Sequence, residues 1–500
     1  MSTRSRAAIG IWRSRNTSTT GDRAFLGYTI FMVALIAIAP VARAVWLSAT
    51  STAGVAAFAS PAAPGLTALT TAALWAGALL LGRDRGPALR PPFLTHALAV
   101  SDLARSDTFR GPVLRAGALV TAVTTIVAGL VGSSLTSRGL ADPLGVAIFT
   151  AVGALVGVIS AVAWLAGQAF PRAAVPVALS IFVLGVVTAI APGMQAFTPW
   201  GWVGLSYPSS ATLLDPVALA ALAAPAAVLI ATVPALMNRL SIAALVEQAA
   251  RWDAATTHAT SMDFGAATTI YQRKPHLGRR IRAVRPQGPL ALVFLIRDAL
   301  GAIRTPGRLM VGVVAFVIAG VLLGLALAPT APGWLLGAAA GVIAYAGLGP
   351  LTDGIRHAAS AASDVPLYGI SDEHLLANHA LFPLTVIIVM LLAVGIVCSI
   401  ITGTAAGPAV VSSLVLGLLA LLTRINSALK GPLPIVLLTP ISTPAGDPMA
   451  AVRMAWALDG VLLAAASGAS AALAPASPIL LLGVGAILIG AGINRWRHRR

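Results

Sequence analysis

Residues 309–328 read LMVGVVAFVIAGVLLGLALA, twenty consecutive residues without a charged side chain. An α-helix of that length is about 30 Å long, which matches the hydrocarbon core of a bilayer. Lipid offers the backbone no hydrogen-bond partner, so a stretch of this kind is predicted to cross the membrane as a helix.

The composition extends this prediction to the whole chain. Hydrophobic residues make up 58% of the 500 positions, charged residues make up 10%, and the mean hydropathy is +0.89. A soluble domain carries about 25% charged residues, so we predict an all-α integral membrane protein. Apolar stretches predict about twelve transmembrane helices, six in each of two groups, at 24–46, 64–82, 113–133, 143–165, 174–195 and 214–236, then at 309–328, 333–351, 383–404, 406–423, 454–475 and 478–494.

The basic residues favour one orientation of these helices. The chain has 33 Lys and Arg against 16 Asp and Glu. With the N-terminus inside, thirty of the basic residues fall in predicted cytoplasmic segments, Arg115 lies at the edge of a span, and only Arg43 and Arg138 fall outside. By the positive-inside rule, this predicts a plasma-membrane protein with both termini in the cytoplasm. Anionic membrane lipid would neutralise much of the charge, and the basic loop has few aromatic residues for base stacking, so we expect no nucleic-acid partner.

The two groups of six predicted helices resemble each other in layout. An offset of 270 positions places Ser101–Asp102 on Ser371–Asp372, each between the second and third helix of its half. Six helices per half give both copies the same orientation, as in parallel repeats. The predicted organisation is a basic N-terminus with an elbow helix (1–23), a first half (24–236), a basic linker with an elbow helix (237–308), a second half (309–494) and a basic tail (495–500).

The sequence lacks motifs for catalysis. It contains no Walker A motif, no HExxH and no GxSxG, and its single cysteine, Cys398, lies in an apolar run. We therefore expect no enzyme activity, no metal and no cofactor in this chain. Six of the seven histidines lie in predicted loops or tails and His379 lies near the start of a predicted span, and we interpret them as solvated residues rather than metal ligands. Asp459 is the single acid inside a predicted span, where it is expected to meet water or Arg453.

Two regions are candidates for function, and the first is the pair of Ser–Asp segments. Residues 363–382 are predicted to form an extended stretch and then a helix capped by Ser371 or Asp372. This is either an ordinary interfacial helix or a docking helix on which a cytoplasmic partner pushes. The candidate residues for that contact are Ser101, Asp102, Arg105, Ser371, Asp372, Glu373 and His374.

The second candidate region is the predicted outside loop 197–208. Its residues Trp200, Trp202 and Tyr207 either form an interfacial aromatic belt or line the external mouth of a pathway as a short re-entrant element. The segment 431–453 has a short apolar core interrupted by prolines, and it is predicted to be re-entrant or interfacial.

The layout resembles that of ABC-2-type exporter permeases, in a form with two six-span halves fused in one chain. RDALGAIRTPGRL at 297–309 is similar to the elbow of such permeases, and SDEHLL at 371–376 is similar to the segment that contacts the ATPase. The Ala- and Arg-rich, Lys-poor composition is similar to that of high-GC actinobacterial proteins. The resemblance implies alternating access driven by a separate cytoplasmic ABC ATPase in two copies, which would bind the ATP. The cargo would be hydrophobic or amphipathic: a peptide, an antibiotic or a lipid.

Two alternatives remain open at this level. One is an ion-coupled secondary transporter or a lipid flippase without an ATPase. The other is a membrane-embedded transferase acting on lipid-linked substrates, which should carry acidic or His residues clustered at one membrane face. No such cluster is recognisable in the sequence.

Overall fold

The computed structural model describes residues 19–208, 215–260, 288–328, 332–361, 369–402, 405–431 and 449–498, together with a few isolated positions between them. All regular secondary structure in these ranges is helical. The chain divides into two compact units, Met1–Thr257 and His258–Arg500.

The helices of the first unit are α1 (Thr20–Val33), α2 (Ala39–Thr50), α3 (Thr52–Phe58), α4 (Ala63–Asp84), α5 (Pro92–Val100), α6 (Arg105–Thr108), α7 (Arg110–Thr136), α8 (Pro143–Ala169), α9 (Ala174–Ile190), α10 (Pro199–Leu205), α11 (Asp215–Asn238) and α12 (Ile242–Thr260). Those of the second unit are α13 (Leu290–Ile303), α14 (Pro306–Ala326), α15 (Gly333–Gly347), α16 (Asp353–Ala361), α17 (Asp372–Thr402), α18 (Ala406–Ala428), α19 (Met449–Leu473) and α20 (Pro478–Arg497).

Ten helices in the described ranges are long and apolar enough to cross a membrane. They are α4, α7, α8 and α11 in the first unit and α14, α15, α17, α18, α19 and α20 in the second, with α15 counted on through a short 3₁₀ turn to Leu351. Each coincides with one of the predicted spans. The protein is therefore a multi-pass, all-α membrane protein.

The other two predicted spans do not form a single long helix. At 24–46 the chain runs through α1, a π-helical turn (Ala34–Ile38) and α2. Pro40 lies in the first turn of α2, and because proline lacks an N–H and crowds the preceding turn, the wider π turn accommodates it. At 174–195 the helix α9 has 17 residues and ends at Ile190, just before Pro192.

In the first unit, α8 packs against α4, α7 and α11. Glycines allow the closest approach, that of α4 and α8. A Cβ added to Gly167 would lie 2.0 Å from the Leu79 carbonyl oxygen, and one added to Gly82 would lie 2.0 Å from that of Trp164. Small residues of this kind let helix backbones touch in membranes, where dispersion contacts replace the hydrophobic effect.

In the second unit, α15 and α19 pack in the same way. A Cβ on Gly341 would lie 2.1 Å from the Ala464 carbonyl oxygen, and one on Gly468 would lie 2.0 Å from that of Gly337. The adjoining core contains fully buried Phe316, Ile387 and other apolar side chains of α14, α17 and α18. Both units are thus held by glycine-mediated crossings and apolar packing.

Each unit carries most of its charged side chains at one end. In the first unit this end comprises the last turns of α4, α8 and α11 and the first turn of α7. In the second it comprises the first turns of α14, α17 and α19 and the last turns of α15, α18 and α20. We call each of these the basic end of its unit.

Within the predicted linker 237–308, two helices are described. One is α12, which belongs almost entirely to the first unit, and the other is α13, which occupies the position of the predicted second elbow. The predicted first elbow and most of the segment 431–453 lie outside the described residues.

Candidate functional site

A buried hydrogen bond between a histidine and an aspartate joins α13 to α17 at the basic end of the second unit. The side chain of His379 is fully buried, and its Nδ1 lies 2.6 Å from Oδ2 of Asp298, which is 10% exposed. Arg297 Nη1 lies 3.4 Å from Nε2 of the same ring. Since arginine only donates, Nε2 acts as the acceptor and Nδ1–H donates to the carboxylate, so the geometry fits a neutral imidazole.

The pair is closely packed by side chains and backbone of the neighbouring helices. The ring of Phe294 meets the His379 ring edge to face, with centroids 4.7 Å apart. A Cβ on Gly354, in α16, would lie 2.3 Å from His379 Nδ1 and 2.7 Å from Asp298 Oδ2. A glycine is therefore required where α16 covers the pair.

This arrangement corrects the interpretation of His379 as a solvated residue. Leu375, His379 and Phe382 are all buried, at the i, i+4 and i+7 positions of one helical face. The spacing was visible in the sequence, but the partner Asp298 is 81 residues away and carried no local signal.

An ion network surrounds Asp459 on α19. Its carboxylate accepts hydrogen bonds from Lys430 Nζ, at 2.7 Å, and from the guanidinium of Arg495 at the end of α20. Lys430 Nζ also lies 3.7 Å from the centroid of the Trp456 ring. Burial lowers the pKa of Lys430, and the hydrogen bond to Asp459 opposes that shift.

Of the two expected environments of Asp459, water or Arg453, the pairing with Arg453 was wrong. Arg453 instead donates to the Leu437 carbonyl oxygen, at 3.1 Å. Arg495 reaches a second acceptor, the Asn426 carbonyl oxygen, at 2.9 Å. Asp459 therefore joins α19 to the ends of α18 and α20, and two cations bind its single carboxylate.

The Ser–Asp segment of the second unit begins a long helix. The Ser371 hydroxyl accepts a hydrogen bond from the backbone N–H of His374, at 3.4 Å, which is the hydrogen bond of a helix cap. The same hydroxyl lies 2.8 Å from His374 Nδ1. Asp372 and Glu373 occupy the first turn, where acids favour the helix dipole. The predicted short helix is not a separate element, because α17 continues through Pro383 to Thr402.

The Ser–Asp segment of the first unit has a different local structure. Ser101 and Asp102 are exposed and follow α5, and the Ser101 hydroxyl donates to the Leu98 carbonyl oxygen at 2.8 Å. Arg105 donates to the Leu240 and Asn238 carbonyl oxygens and so fastens α6 to the end of α11. Both Ser–Asp segments lie at the basic end of their own unit, but one follows a helix and the other starts one.

The three aromatic residues of the 197–208 loop lie at the opposite end of the first unit. Trp200 is 7% and Tyr207 2% exposed, so these two side chains are buried in the protein. Trp200 Nε1 donates to Thr188 Oγ1 at 3.0 Å, and the Tyr207 hydroxyl donates to the Phe58 carbonyl oxygen at 2.9 Å. Trp202 donates to Ala196 within the loop. The loop is a folded cap on α4 and α11, and its role as the mouth of a pathway stays a prediction.

A pair of buried glutamines holds the loop after α4, and sequence reasoning missed it. Gln168 Nε2 donates to Gln248 Oε1 at 2.9 Å, and Gln168 Oε1 accepts from the Ala88 N–H at 3.1 Å. Gln248 also accepts from the Gly86 N–H, at 3.1 Å. Their hydrogen bonds satisfy backbone groups of a buried loop, which would otherwise be costly.

Comparison with models of known protein families, with characterised proteins and with solved structures finds no match for this chain. Across the described residues, no group of three or more His, Cys, Asp or Glu side chains is placed to hold a metal ion.

Proposed function

We propose that this chain is the membrane permease of an ABC-type exporter, moving a hydrophobic or amphipathic substrate with energy from a separate ATPase. The observation that carries the proposal is the continuity of α17. Its acidic first turn is at the surface, with Ser371, Glu373 and His374 exposed, and the same helix continues for 31 residues through the apolar core. A partner that displaces the first turn would therefore move a membrane-crossing helix.

The contacts around the first turns of α17 support such coupling. His379 binds Asp298 on α13, and Arg308 at the start of α14 pairs with Asp353 at the start of α16, with one N–O distance of 2.9 Å. Charged side chains thereby join α13 to α17 and α14 to α16, and Gly354 of α16 packs against the His379–Asp298 pair. Force applied at the surface would reach several helices together, as a switch between two packings requires.

Similar helix pairings in the two units support the proposed duplication into two parallel six-span halves, with twelve spans in all. The pairs α4–α9, α7–α8 and α8–α11 of the first unit correspond in order to α15–α19, α17–α18 and α18–α20 of the second. Trp164 Nε1 donates to the Arg85 carbonyl oxygen at 2.6 Å, and Arg424 Nε donates to that of Tyr345 at 2.7 Å. Donor and acceptor are 79 residues apart in both cases.

The orientation proposed here places both basic ends at the cytoplasmic face of the plasma membrane, where the positive-inside rule puts Lys and Arg. Both Ser–Asp segments would then face the cytoplasm, where an ABC ATPase is found. An ATPase present in two copies could then contact one Ser–Asp segment with each copy.

A proton-coupled transporter is the second candidate, and the buried His379–Asp298 pair is the observation that favours it. The pair places a carboxylate and an imidazole 2.6 Å apart, and these are the side-chain types that form proton relays in membrane transporters.

One experiment distinguishes the two candidates. The tagged chain is purified in mild detergent, bound ATPases are identified by mass spectrometry, and the complex is reconstituted in vesicles. The permease proposal expects an ATPase to co-purify and ATP to drive uptake of an amphipathic dye. Recovery of no ATPase, with uptake driven by a proton gradient and abolished by Asp298→Asn, would refute it.

Two variants test the proposed contact between the first turn of α17 and the ATPase. Glu373→Lys reverses a charge on the exposed first turn of α17 and is expected to lower ATPase stimulation by the permease about tenfold, because weakening the interface by about 1.4 kcal/mol changes the binding constant tenfold. Asp142→Asn is the matched control, since Asp142 caps α8 at the other end of the first unit and asparagine caps equally well.

A further inference from the structure

The basic end of the first unit contains a cavity of about 430 Å³ that the transport proposal does not use. It lies between the loop after α4, the first turns of α7, the end of α8 and the middle of α12. Three arginines and two tryptophans line it together with apolar residues, and no acidic side chain is among its described lining: Ile9, Arg85, Gly86, Pro87, Leu89, Arg90, Pro91, Leu94, Pro112, Arg115, Ala116, Trp164 and Trp252.

The arginines of this cavity are held in defined positions. The Arg85 guanidinium lies 3.3 Å from the centroid of the Trp252 ring, and its backbone oxygen accepts from Trp164 Nε1. Arg90 donates through Nε and Nη2 to the Thr108 carbonyl oxygen, at 3.1 and 2.8 Å. These contacts fix two guanidinium planes at the cavity wall before any ligand binds.

Two of the guanidinium groups converge on one point. A Cβ added to Gly111 would lie 3.6 Å from Arg90 Nη2 and 3.8 Å from Arg115 Nη2. Both guanidinium groups therefore lie close to the first turn of α7, beside the cavity that they line. An anion with several acceptor oxygens would offset the repulsion between the arginines and accept hydrogen bonds from both.

The depth of the cavity and its apolar wall select among anions. It lies at the ends of the membrane-spanning α4, α7 and α8, which is the level of lipid headgroups. Leu89, Leu94 and Ala116 line it beside the arginines and suit the glycerol and the first methylenes of an acyl chain. Basic pockets between membrane helices bind the headgroups of anionic lipids in this way.

We propose that this cavity binds the phosphate of an anionic phospholipid, with Arg90 and Arg115 as its hydrogen-bond donors and Arg85 as a third positive charge. A phospholipid headgroup and a soluble phosphate compound would offer the arginines the same phosphate oxygens. The soluble compound is therefore the alternative ligand that the test must exclude. Lipid binding at this site does not depend on an ATPase, so it can be tested independently of the transport proposal.

The test uses the full chain in nanodiscs that contain phosphatidylglycerol and phosphatidylcholine, followed by a detergent wash and mass spectrometry of the retained lipid. Arg115→Gln removes an exposed guanidinium and is expected to lower retention of phosphatidylglycerol about tenfold, the effect of losing one charged hydrogen bond. Arg115→Lys keeps the charge and should retain most of the binding. The matched control is Arg138→Gln, which removes the same charge from just beyond the other end of α7.

Equal retention in Arg115→Gln and Arg138→Gln would overturn the proposal, because it would show attraction by net charge alone. So would binding of inorganic phosphate or glycerol phosphate to the lipid-free chain that is lost in Arg115→Gln and displaces phosphatidylglycerol at equal concentration, since the site would then take a soluble anion. Selective loss in Arg115→Gln with no competition by soluble phosphate would support it.

Discussion

Replacing His379 with alanine tests the buried pair that joins α13 to α17. The substitution leaves the Asp298 carboxylate, 10% exposed, without its imidazole partner, and it opens a cavity beside Phe294. Removing the partner of a buried charge costs about 3–5 kcal/mol, because the charge is left uncompensated. For a unit of this size, about 2–4 °C of Tm is lost per kcal/mol. The expected fall in Tm of the second unit is therefore roughly 6–20 °C.

The assay is thermal unfolding in detergent, followed by fluorescence-detected size exclusion. His374→Ala is the matched control, because His374 is an exposed histidine on the same helix whose imidazole lies beside the neighbouring cap, Ser371. Its Tm should change by no more than about 2 °C. Equal, small shifts for both alanine variants would refute the reasoning, since they would show that the His379–Asp298 pair is not formed in the folded chain.

Three further predictions concern packing and charge in the described helices. Gly468→Ala should lower the Tm of the second unit, because its methyl group would lie 2.0 Å from a carbonyl oxygen of α15 and overpacking costs about 1–3 kcal/mol; Gly485→Ala in α20, where nothing lies within 4 Å, is the control. Asp459→Asn should destabilise by about 3 kcal/mol in the same assay, because it leaves Lys430 and Arg495 without a negative partner. Burial raises the pKa of Tyr207, so spectrophotometric titration should show one of the five tyrosines ionising after the others. The folded protein should then lose stability as pH rises above about 10, the pKa of an unfolded tyrosine, and Tyr207→Phe should remove that loss.

The membrane-spanning helices could be predicted because twenty apolar residues in a row are a local signal. Ten predicted spans coincide with helices of sufficient length. The two predicted spans that do not form a long helix each have a proline that accounts for the difference. Pro40 falls within the first predicted span, where the helix widens into a π turn, and Pro192 follows the end of the 17-residue α9.

The polar contacts could not be predicted because each joins segments far apart in sequence. Asp459 pairs with Lys430 and Arg495, 29 and 36 residues away, and not with the nearby Arg453. Gln168 and Gln248 are 80 residues apart. No periodicity relates such residues, so only the packing of whole helices brings them together.

For the candidate docking segment at 371–376, the sequence indicated where the helix starts but not how far it continues. Ser371 caps a helix as its sequence context indicates, since serine followed by Asp and Glu is typical of a helix start. The continuation of that helix through Pro383 was not expected, because proline usually ends a helix. Pro383 is the twelfth residue of α17, so the predicted separation of a surface helix from a membrane helix fails at this position.

Photo-crosslinking from the first turn of α17 tests the central claim most directly. A photoreactive amino acid replaces Glu373 in the full chain, cells are irradiated, and the crosslinked partner is identified by mass spectrometry. The permease account predicts a crosslink to the nucleotide-binding subunit of an ABC ATPase, and none from the same amino acid at Asp142. A crosslink to no ATPase, together with labelling of Glu373→Cys in a Cys398→Ala background by a maleimide added outside intact cells, would contradict it.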